Sequence, residues 1–148
     1  MSLRKVRDDS RDSGDWQQLI DAVPYAQFLG LRAGWDTAGF YCELPFDSML
    51  VGNESLPALH GGLVAGLLEA TALFHLLIAG ENQNLPRPVD FTIDYLRSAG
   101  PKTSYARCEI IKQGRRVCNV RVTAWQGDEN RPFATARGNV LVGLDPEN

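Results

Sequence analysis

The longest apolar stretch of the chain lies near its middle, between residues 61 and 80. Leucine, valine, isoleucine, phenylalanine and alanine occupy nearly every side of a helical projection of this stretch. A helix that keeps no polar face is one that other elements surround. The pattern therefore predicts a long buried central helix that ends near Gly80.

The chain after this helix is predicted to form strands, because apolar and polar residues alternate along much of it. The predicted strands are 89–95, 106–110, 118–124 and 133–142, joined by turns at 113–116 and 127–130. Glycine and polar residues in both turns favour tight antiparallel hairpins. The second half of the chain is thus predicted to be an antiparallel sheet.

The segment before the central helix has three predicted parts. Asp15 to Pro24 form a short amphipathic helix, with Asp15 as its N-cap and Pro24 as its stop. Residues 28–46 form two strands joined by a turn at 36–39. Residues 47–59 form a loop that leads to the central helix.

Elements in this order predict an α+β fold in which one antiparallel sheet wraps around the long central apolar helix. A chain of 148 residues suffices for one domain and is too short to predict two. Residues 1–14 have almost nothing to bury, so they are predicted to be a flexible tail that only an oligomer partner would order. The single domain is therefore placed at 15–148.

Composition narrows the classes of partner. The net charge of −3 gives no electrostatic basis for a nucleic-acid or anionic membrane surface as the main partner. Gly66, Glu69, Thr71 and His75 interrupt the central apolar stretch, which favours a buried helix over a membrane span. The three cysteines form no CxxC pair and the N-terminus has no continuous apolar segment, so a cytoplasmic location is expected.

The candidate chemistry lies at the start of the central helix and inside it. His60, Gly61 and Gly62 precede the apolar run, and unpaired N–H groups of a first helical turn can hold the oxyanion of a tetrahedral intermediate. Such a donor is typically worth roughly 3–4 kcal/mol. The structural alternative for the two glycines is close packing or a special backbone angle.

Glu69 is the second candidate, because a carboxylate in an apolar run is hydrogen-bonded, protonated or functional. In the functional interpretation it is a general base for water or a nucleophile toward an acyl carbon. In the structural one it sits at a solvent gap or makes a structural hydrogen bond. For His60 two roles are open, orientation of a substrate carbonyl and capping of the helix.

The spacing of these residues carries a geometric condition. Gly61 and Glu69 are eight residues apart, which is about 12 Å along one helix. Both cannot engage one carbonyl from the same chain. Two subunits that pack these helices antiparallel would bring Gly61 of one to Glu69 of the other, so the chemistry predicts a homodimer.

Two other catalytic designs lack support in the sequence. The GxSxG motif of a nucleophile elbow is absent. The two histidines have no metal-ligand spacing, so no metal site is predicted, and His75 is interpreted as structural.

The His60-Gly61-Gly62 motif, the acid at Glu69 and the later strand Val89 to Arg97 together resemble the hotdog-fold acyl-CoA thioesterases of the phenylacetic-acid-pathway (PaaI-type) and hydroxybenzoyl-CoA group. The resemblance covers about residues 16–142. It implies a thioesterase that needs no cofactor beyond the coenzyme A of its substrate and that assembles as dimers, often paired into tetramers. It also implies that Glu69 is the base or nucleophile, that the Gly61 N–H polarises the thioester carbonyl, and that His60 assists.

The chain departs from this family at two places. Many members have Asp where Glu69 stands, and some have Ser or Thr where this chain has Pro88, so a water-positioning hydroxyl is missing there. Asn53 is a candidate to hold water, as an Asn in the same loop does in some members. The candidates that contact substrate are Gly62, Arg87, Gly114, Arg115 and Arg116, with further cations at Arg97 and Lys102 for the coenzyme phosphates.

Two other functions stay open at this point. One is hydration or dehydration of an acyl thioester on the same fold. The other is a non-catalytic acyl-CoA-binding or regulatory module.

Overall fold

The computed structural model describes residues 2–80 and 85–143, without the side chain of Asn53. The helices are α1 (Leu3–Ser13), α2 (Gln17–Asp21), α3 (Pro24–Leu29) and α4 (Gly61–Ala79), with a turn of 3-10 helix at Ser48–Leu50. The strands are β1 (Arg32–Asp36), β2 (Gly39–Leu44), β3 (Val51–Asn53), β4 (Ala58–Leu59), β5 (Arg87–Tyr95), β6 (Ser104–Gln113), β7 (Val117–Trp125) and β8 (Ala134–Leu141).

Six strands form one sheet in the order β1-β2-β6-β7-β8-β5, and every neighbouring pair in it is antiparallel. The predicted turns at 36–39, 113–116 and 127–130 join β1 to β2, β6 to β7 and β7 to β8. The strand β5, which follows the helix, lies at the far edge beside β8. Strands β3 and β4 form a separate small hairpin in the segment that was predicted to be a loop.

Helix α4 packs across the inner face of this sheet. Leu67, Leu68 and Ala72 are fully buried, as are Val120 and Val122 of β7. The helix is long and apolar enough to cross a membrane, but half of it is buried inside the protein. An α+β fold with an antiparallel sheet around a long apolar helix is confirmed.

The prediction that α4 is covered on every side is wrong for the single chain. Gly61, Gly62 and Glu69 are exposed, and Ala65 and Gly66 are only partly buried. The sheet can cover one face of a helix, so the opposite face needs another element. An apolar pattern predicts that a helix face is buried, but it does not distinguish burial within one chain from burial against a second chain.

The structure also differs from the predicted flexible tail at 1–14, because residues Leu3–Ser13 form helix α1. The Arg11 guanidinium donates to the carbonyl oxygens of Ile78 (3.2 Å) and Gly80 (2.8 Å), at the C-terminal end of α4. The Arg7 side chain is 5% exposed and pairs with Asp8. Leu3 and Val6 also pack against the core. Hydrophobic periodicity does not detect the contact that Arg11 makes.

The amphipathic helix predicted from Asp15 to Pro24 is shorter in the structure, where α2 covers Gln17–Asp21 and a separate helix α3 begins at Pro24. Trp16 is the N-cap residue of α2, although the Asp15 carboxylate still accepts from the backbone N–H of Gln17 at 3.1 Å. Pro24 begins α3, where its missing N–H costs nothing, instead of ending the preceding helix.

Candidate active site

The start of α4 leaves one backbone donor open. His60 is the N-cap residue, and its Nδ1 accepts from the Gly62 N–H at 3.0 Å. A Cβ on Gly62 would lie 3.2 Å from that Nδ1, so glycine makes room for the imidazole. Among the described residues nothing accepts from the Gly61 N–H. The capping role considered for His60 is confirmed, and the cap leaves the Gly61 N–H available to a ligand.

Tyr95 at the end of β5 holds the same turn from its other side. Its hydroxyl donates to the Gly61 carbonyl oxygen at 2.8 Å. A Cβ on Gly61 would meet the Tyr95 ring and hydroxyl at 3.7–3.8 Å, which is ordinary contact. The sequence motif contained Tyr95, but nothing in the pattern indicated that it bonds to the helix start.

Asp90 in the same strand has a structural role. Its carboxylate accepts from the backbone N–H of Asn139 at 3.2 Å and from the Asn139 amide at 3.2–3.3 Å. The register of β5 against β8 shifts between Pro88 and Asp90. Asp90 therefore secures the strand beside an irregularity and does not reach the helix start.

Glu69 lies on the open face of α4 and is exposed, so the prediction of a buried carboxylate is wrong for the single chain. It borders a cleft of about 340 Å³. The other lining residues are Leu3, Val23, Tyr25, Gly66, Ala70, Leu73, Phe74, Leu77, Leu85 and Pro86. The carboxylate thus faces an almost wholly apolar groove. The two aromatic residues that line this groove in the described part of the chain are Tyr25 and Phe74.

Gly61 and Glu69 are not brought together within one chain. Both belong to the continuous helix α4, eight residues apart, which separates them by about 12 Å. The side chain of Asn53 lies outside the described part of the chain, so the structure does not place this candidate.

Three of the predicted phosphate-contacting residues, Arg87, Arg115 and Arg116, lie at the opposite end of the sheet. Arg87 opens β5 and pairs with Leu141, while Arg115 and Arg116 form the turn between β6 and β7. The Gly114 N–H closes that turn by donating to the Val117 carbonyl oxygen at 2.9 Å, and a Cβ on Gly114 would lie only 2.5 Å from the same oxygen. The helix start lies at the Tyr95 end of β5, about 26 Å from Arg87 along the strand.

Other cations lie near the helix start. A cleft of about 360 Å³ borders Gly61, Tyr95 and Arg97. It shares Arg97 with a second cleft of about 400 Å³ that also contains Lys102 and Arg131. Arg97 and Lys102 were among the sequence candidates, whereas no sequence signal pointed to Arg131, which follows the turn between β7 and β8.

The remaining titratable candidates lie away from this site. Burial raises the pKa of the Cys42 and Cys108 thiols to about 12, so neither is a thiolate nucleophile at neutral pH. Burial also lowers the pKa of His75, whose Nδ1 has no hydrogen-bond partner in the described structure. Within residues 2–80 and 85–143 no three metal-ligating side chains come together.

The sequence around this site matches a known protein family. A family model described as the acyl-CoA thioesterase N-terminal domain matches residues 53–142, which include the helix start, Glu69 and the four long strands. The chain belongs to this acyl-CoA thioesterase family. The predicted thioesterase with a hotdog fold is thereby confirmed, and with it the enzyme class.

Individual relatives agree with the family. The medium/long-chain acyl-CoA thioesterase YigI of Salmonella typhimurium is 27% identical over 142 residues, which cover 86% of this chain and 90% of the relative. A crystal structure of a Chromobacterium violaceum protein is 40% identical, with a TM-score of 0.78 over 93% of this chain and 96% of that one. A Bacillus halodurans protein crystallised with CoA shares the fold at 17% identity, with a TM-score of 0.74 over 97% of this chain and 92% of that one.

Proposed function

We propose that this thioesterase hydrolyses acyl-CoA at a site shared by two chains of a homodimer. Glu69 of one chain would serve as general base or nucleophile, and the Gly61 N–H of the other as oxyanion donor. The observation that carries the proposal is the pair of unsatisfied features on α4. An open N–H begins the helix, and an exposed carboxylate on the uncovered face borders an apolar cleft about 12 Å away along the axis.

The dimer is proposed because α4 and β5 are both incomplete in one chain. Gly62 and Ala65 are small residues on the open face of α4, so a second helix can approach it closely. Strand β5 lies at the edge of the sheet with Val89 and Tyr95 more than half exposed. A two-fold axis near Ala65 would set Gly61 opposite Glu69 twice and create two equal sites. Pairing of such dimers into tetramers stays a prediction.

The hydrolysis needs no group that the chain lacks. Glu69 takes one proton from water, and the water oxygen forms a bond to the acyl carbon while the Gly61 N–H stabilises the oxyanion. When the intermediate collapses, the C–S bond breaks and its electron pair leaves with the coenzyme sulfur. The proton on Glu69 passes to that thiolate. In the nucleophilic alternative, the Glu69 oxygen forms an acyl-enzyme that water then cleaves.

The acyl group would lie in the cleft beside Glu69. Its walls are apolar apart from Glu69 and the Tyr25 hydroxyl, which suits a hydrocarbon acyl chain. The named relative from Salmonella typhimurium acts on medium and long chains, which agrees with such a cleft.

The coenzyme phosphates have two possible sets of partners. Arg97, Lys102 and Arg131 border the clefts that begin at Gly61 of the same chain. Arg115 and Arg116 lie at the far end of the sheet and would reach the phosphates only from the partner subunit. A raised KM for acyl-CoA in Arg97→Ala with an unchanged KM in Arg115→Ala would select the first set, and the reverse pattern the second.

Free-thiol release from a panel of acyl-CoA substrates tests the proposed site. We expect Glu69→Gln to lose about 10²- to 10⁴-fold in kcat, the usual contribution of a positioned base. Glu109→Gln, a change at an exposed position of β6, is the matched control and should keep full activity. Full turnover by Glu69→Gln would contradict the assignment, and acyl-CoA binding without turnover by the wild type would favour a non-catalytic module.

The three cysteines are free and buried, which suits a reducing compartment, and we propose a cytoplasmic location.

A further inference from the structure

Tyr25, the second residue of α3, lies directly over Gly66 of α4. A Cβ on Gly66 would lie 2.9 Å from the Tyr25 hydroxyl oxygen and 3.2 Å from Cε1 of its ring. Any larger residue at position 66 would therefore displace the tyrosine. Gly66 makes room for this hydroxyl.

The hydroxyl and the Glu69 carboxylate are neighbours on one face of the helix. Gly66 and Glu69 are three residues apart, and residues at this spacing lie side by side on a helix surface. Tyr25 and Glu69 are also the only two residues with polar side chains among the described residues that line the cleft. Two polar groups converging in an apolar groove are typical of a reaction site.

The Tyr25 hydroxyl has no hydrogen-bond partner among the described residues, and Tyr25 is 50% exposed. Its ring forms part of the cleft wall while its polar end remains open. A hydroxyl in an apolar groove that fills with an acyl chain is unfavourable unless it finds a partner there. A water bound to the neighbouring Glu69 carboxylate would supply such a partner.

We propose that Tyr25 is a further catalytic residue, whose hydroxyl oxygen orients the water that Glu69 activates. This inference rests on the proposed function of Glu69 as general base. The water gives one proton to Glu69 and donates its other hydrogen to the Tyr25 oxygen. One of its two lone pairs then points at the acyl carbon, so the O–C bond forms as the base removes the proton. Tyr25 neither gains nor loses a proton in this step.

The first test is Tyr25→Phe, which keeps the ring against Gly66 and removes only the oxygen. We expect kcat for acyl-CoA hydrolysis to fall about 10- to 100-fold with KM nearly unchanged, because a misplaced reactant costs rate more than binding. Tyr105→Phe is the matched control, since Tyr105 stacks on Trp125 with ring centroids 5.8 Å apart, outside the cleft. It should keep the wild-type kcat.

The second test is a double-mutant cycle with Gly66→Ala. Alone, Gly66→Ala should lower kcat as Tyr25→Phe does, because the new Cβ displaces the hydroxyl. Once Tyr25→Phe has removed the oxygen, the added methyl group has less to displace, so the double variant should lie within about 3-fold of Tyr25→Phe. Fully additive losses would contradict the proposed contact.

The kinetics of these variants distinguish the role of Tyr25 from the role of Glu69. If Glu69→Gln abolishes turnover and Tyr25→Phe leaves kcat intact, the role of Tyr25 is wrong and the site stands. If Tyr25→Phe raises KM alone, the hydroxyl binds the acyl group and does not orient water, which also overturns the inference. If Glu69→Gln keeps full turnover, the proposed site itself fails.

Discussion

The Tyr95 hydroxyl donates a 2.8 Å hydrogen bond to the carbonyl oxygen of Gly61, 34 residues earlier in the chain. This bond ties the end of the edge strand β5 to the first residue of the central helix. It fixes the residue whose open N–H faces the proposed oxyanion. The two halves of the sequence motif that resembled a thioesterase are therefore parts of one physical unit.

Tyr95→Phe should consequently impair both catalysis and folding. Loss of one hydrogen bond at a half-exposed position is expected to lower the free energy of unfolding by about 1 kcal/mol. A looser helix start should also lower kcat/KM for acyl-CoA by about 10-fold. Urea unfolding and steady-state kinetics measure the two effects. Wild-type values in both would show that Tyr95 does not hold Gly61.

His75 should make the protein less stable in mild acid. Burial holds the pKa of His75 below its ordinary value of 6.5, so near that pH the folded state binds fewer protons than the unfolded state. The stability that follows from this neutral histidine is present above pH 6.5 and is lost as the pH falls toward the folded pKa. We expect His75→Leu to unfold at more nearly the same urea concentration at pH 5.5 and 7.5 than the wild type does. If both proteins lost the same amount of stability between pH 7.5 and pH 5.5, His75 would be excluded as the cause.

Arg11 should stabilise the protein from outside the predicted domain. Its guanidinium satisfies two carbonyl oxygens at the end of α4, where the helix dipole also favours a cation. Arg11→Ala is expected to lower the free energy of unfolding by about 1 kcal/mol. Lys5→Ala breaks an exposed ion pair with Asp9 in the same helix and should unfold close to the wild type. Equal stability of Arg11→Ala and wild type would mean that α1 contributes nothing at this contact.

Periodicity in the sequence was enough to predict α4 and the long strands with their hairpins, but not α1, α3 or the β3–β4 hairpin. Apolar positions that repeat every 2 or 3.6 residues carry this information directly. It was not enough at Leu3–Ser13, where only Leu3 and Val6 are packed against the core and Arg11 bonds to the end of α4. Contacts between a charged side chain and a distant carbonyl leave no periodic trace.

The roles of the candidate site residues stay predictions, and the sequence anticipated their surroundings only in part. The motif pointed to Gly61 and Glu69, and their spacing of eight residues predicted that they lie about 12 Å apart in one chain. The exposure of Glu69 was missed, because an apolar helix is read as buried whether its own sheet or a second chain covers it. Tyr25 was missed as well, since its contact with Gly66 joins distant segments of the chain.

Each proposed site takes Gly61 from one chain and Glu69 from the other. Gly61→Pro removes the N–H while suiting the first helical position, and His60, with φ −64° and ψ 132°, already has the backbone conformation preferred before proline. Gly61→Pro and Glu69→Gln should each be nearly inactive as homodimers. Co-expression with two different tags yields the heterodimer that carries one change in each chain.

Turnover by that purified heterodimer is the most direct measurement. If the site is shared, one of its two sites contains both changes and the other contains neither, so about half of the wild-type kcat per dimer should return. If each site lies within one chain, every site carries one change, and the heterodimer should be as inactive as either parent. Restored activity supports the shared site, and an inactive heterodimer contradicts it.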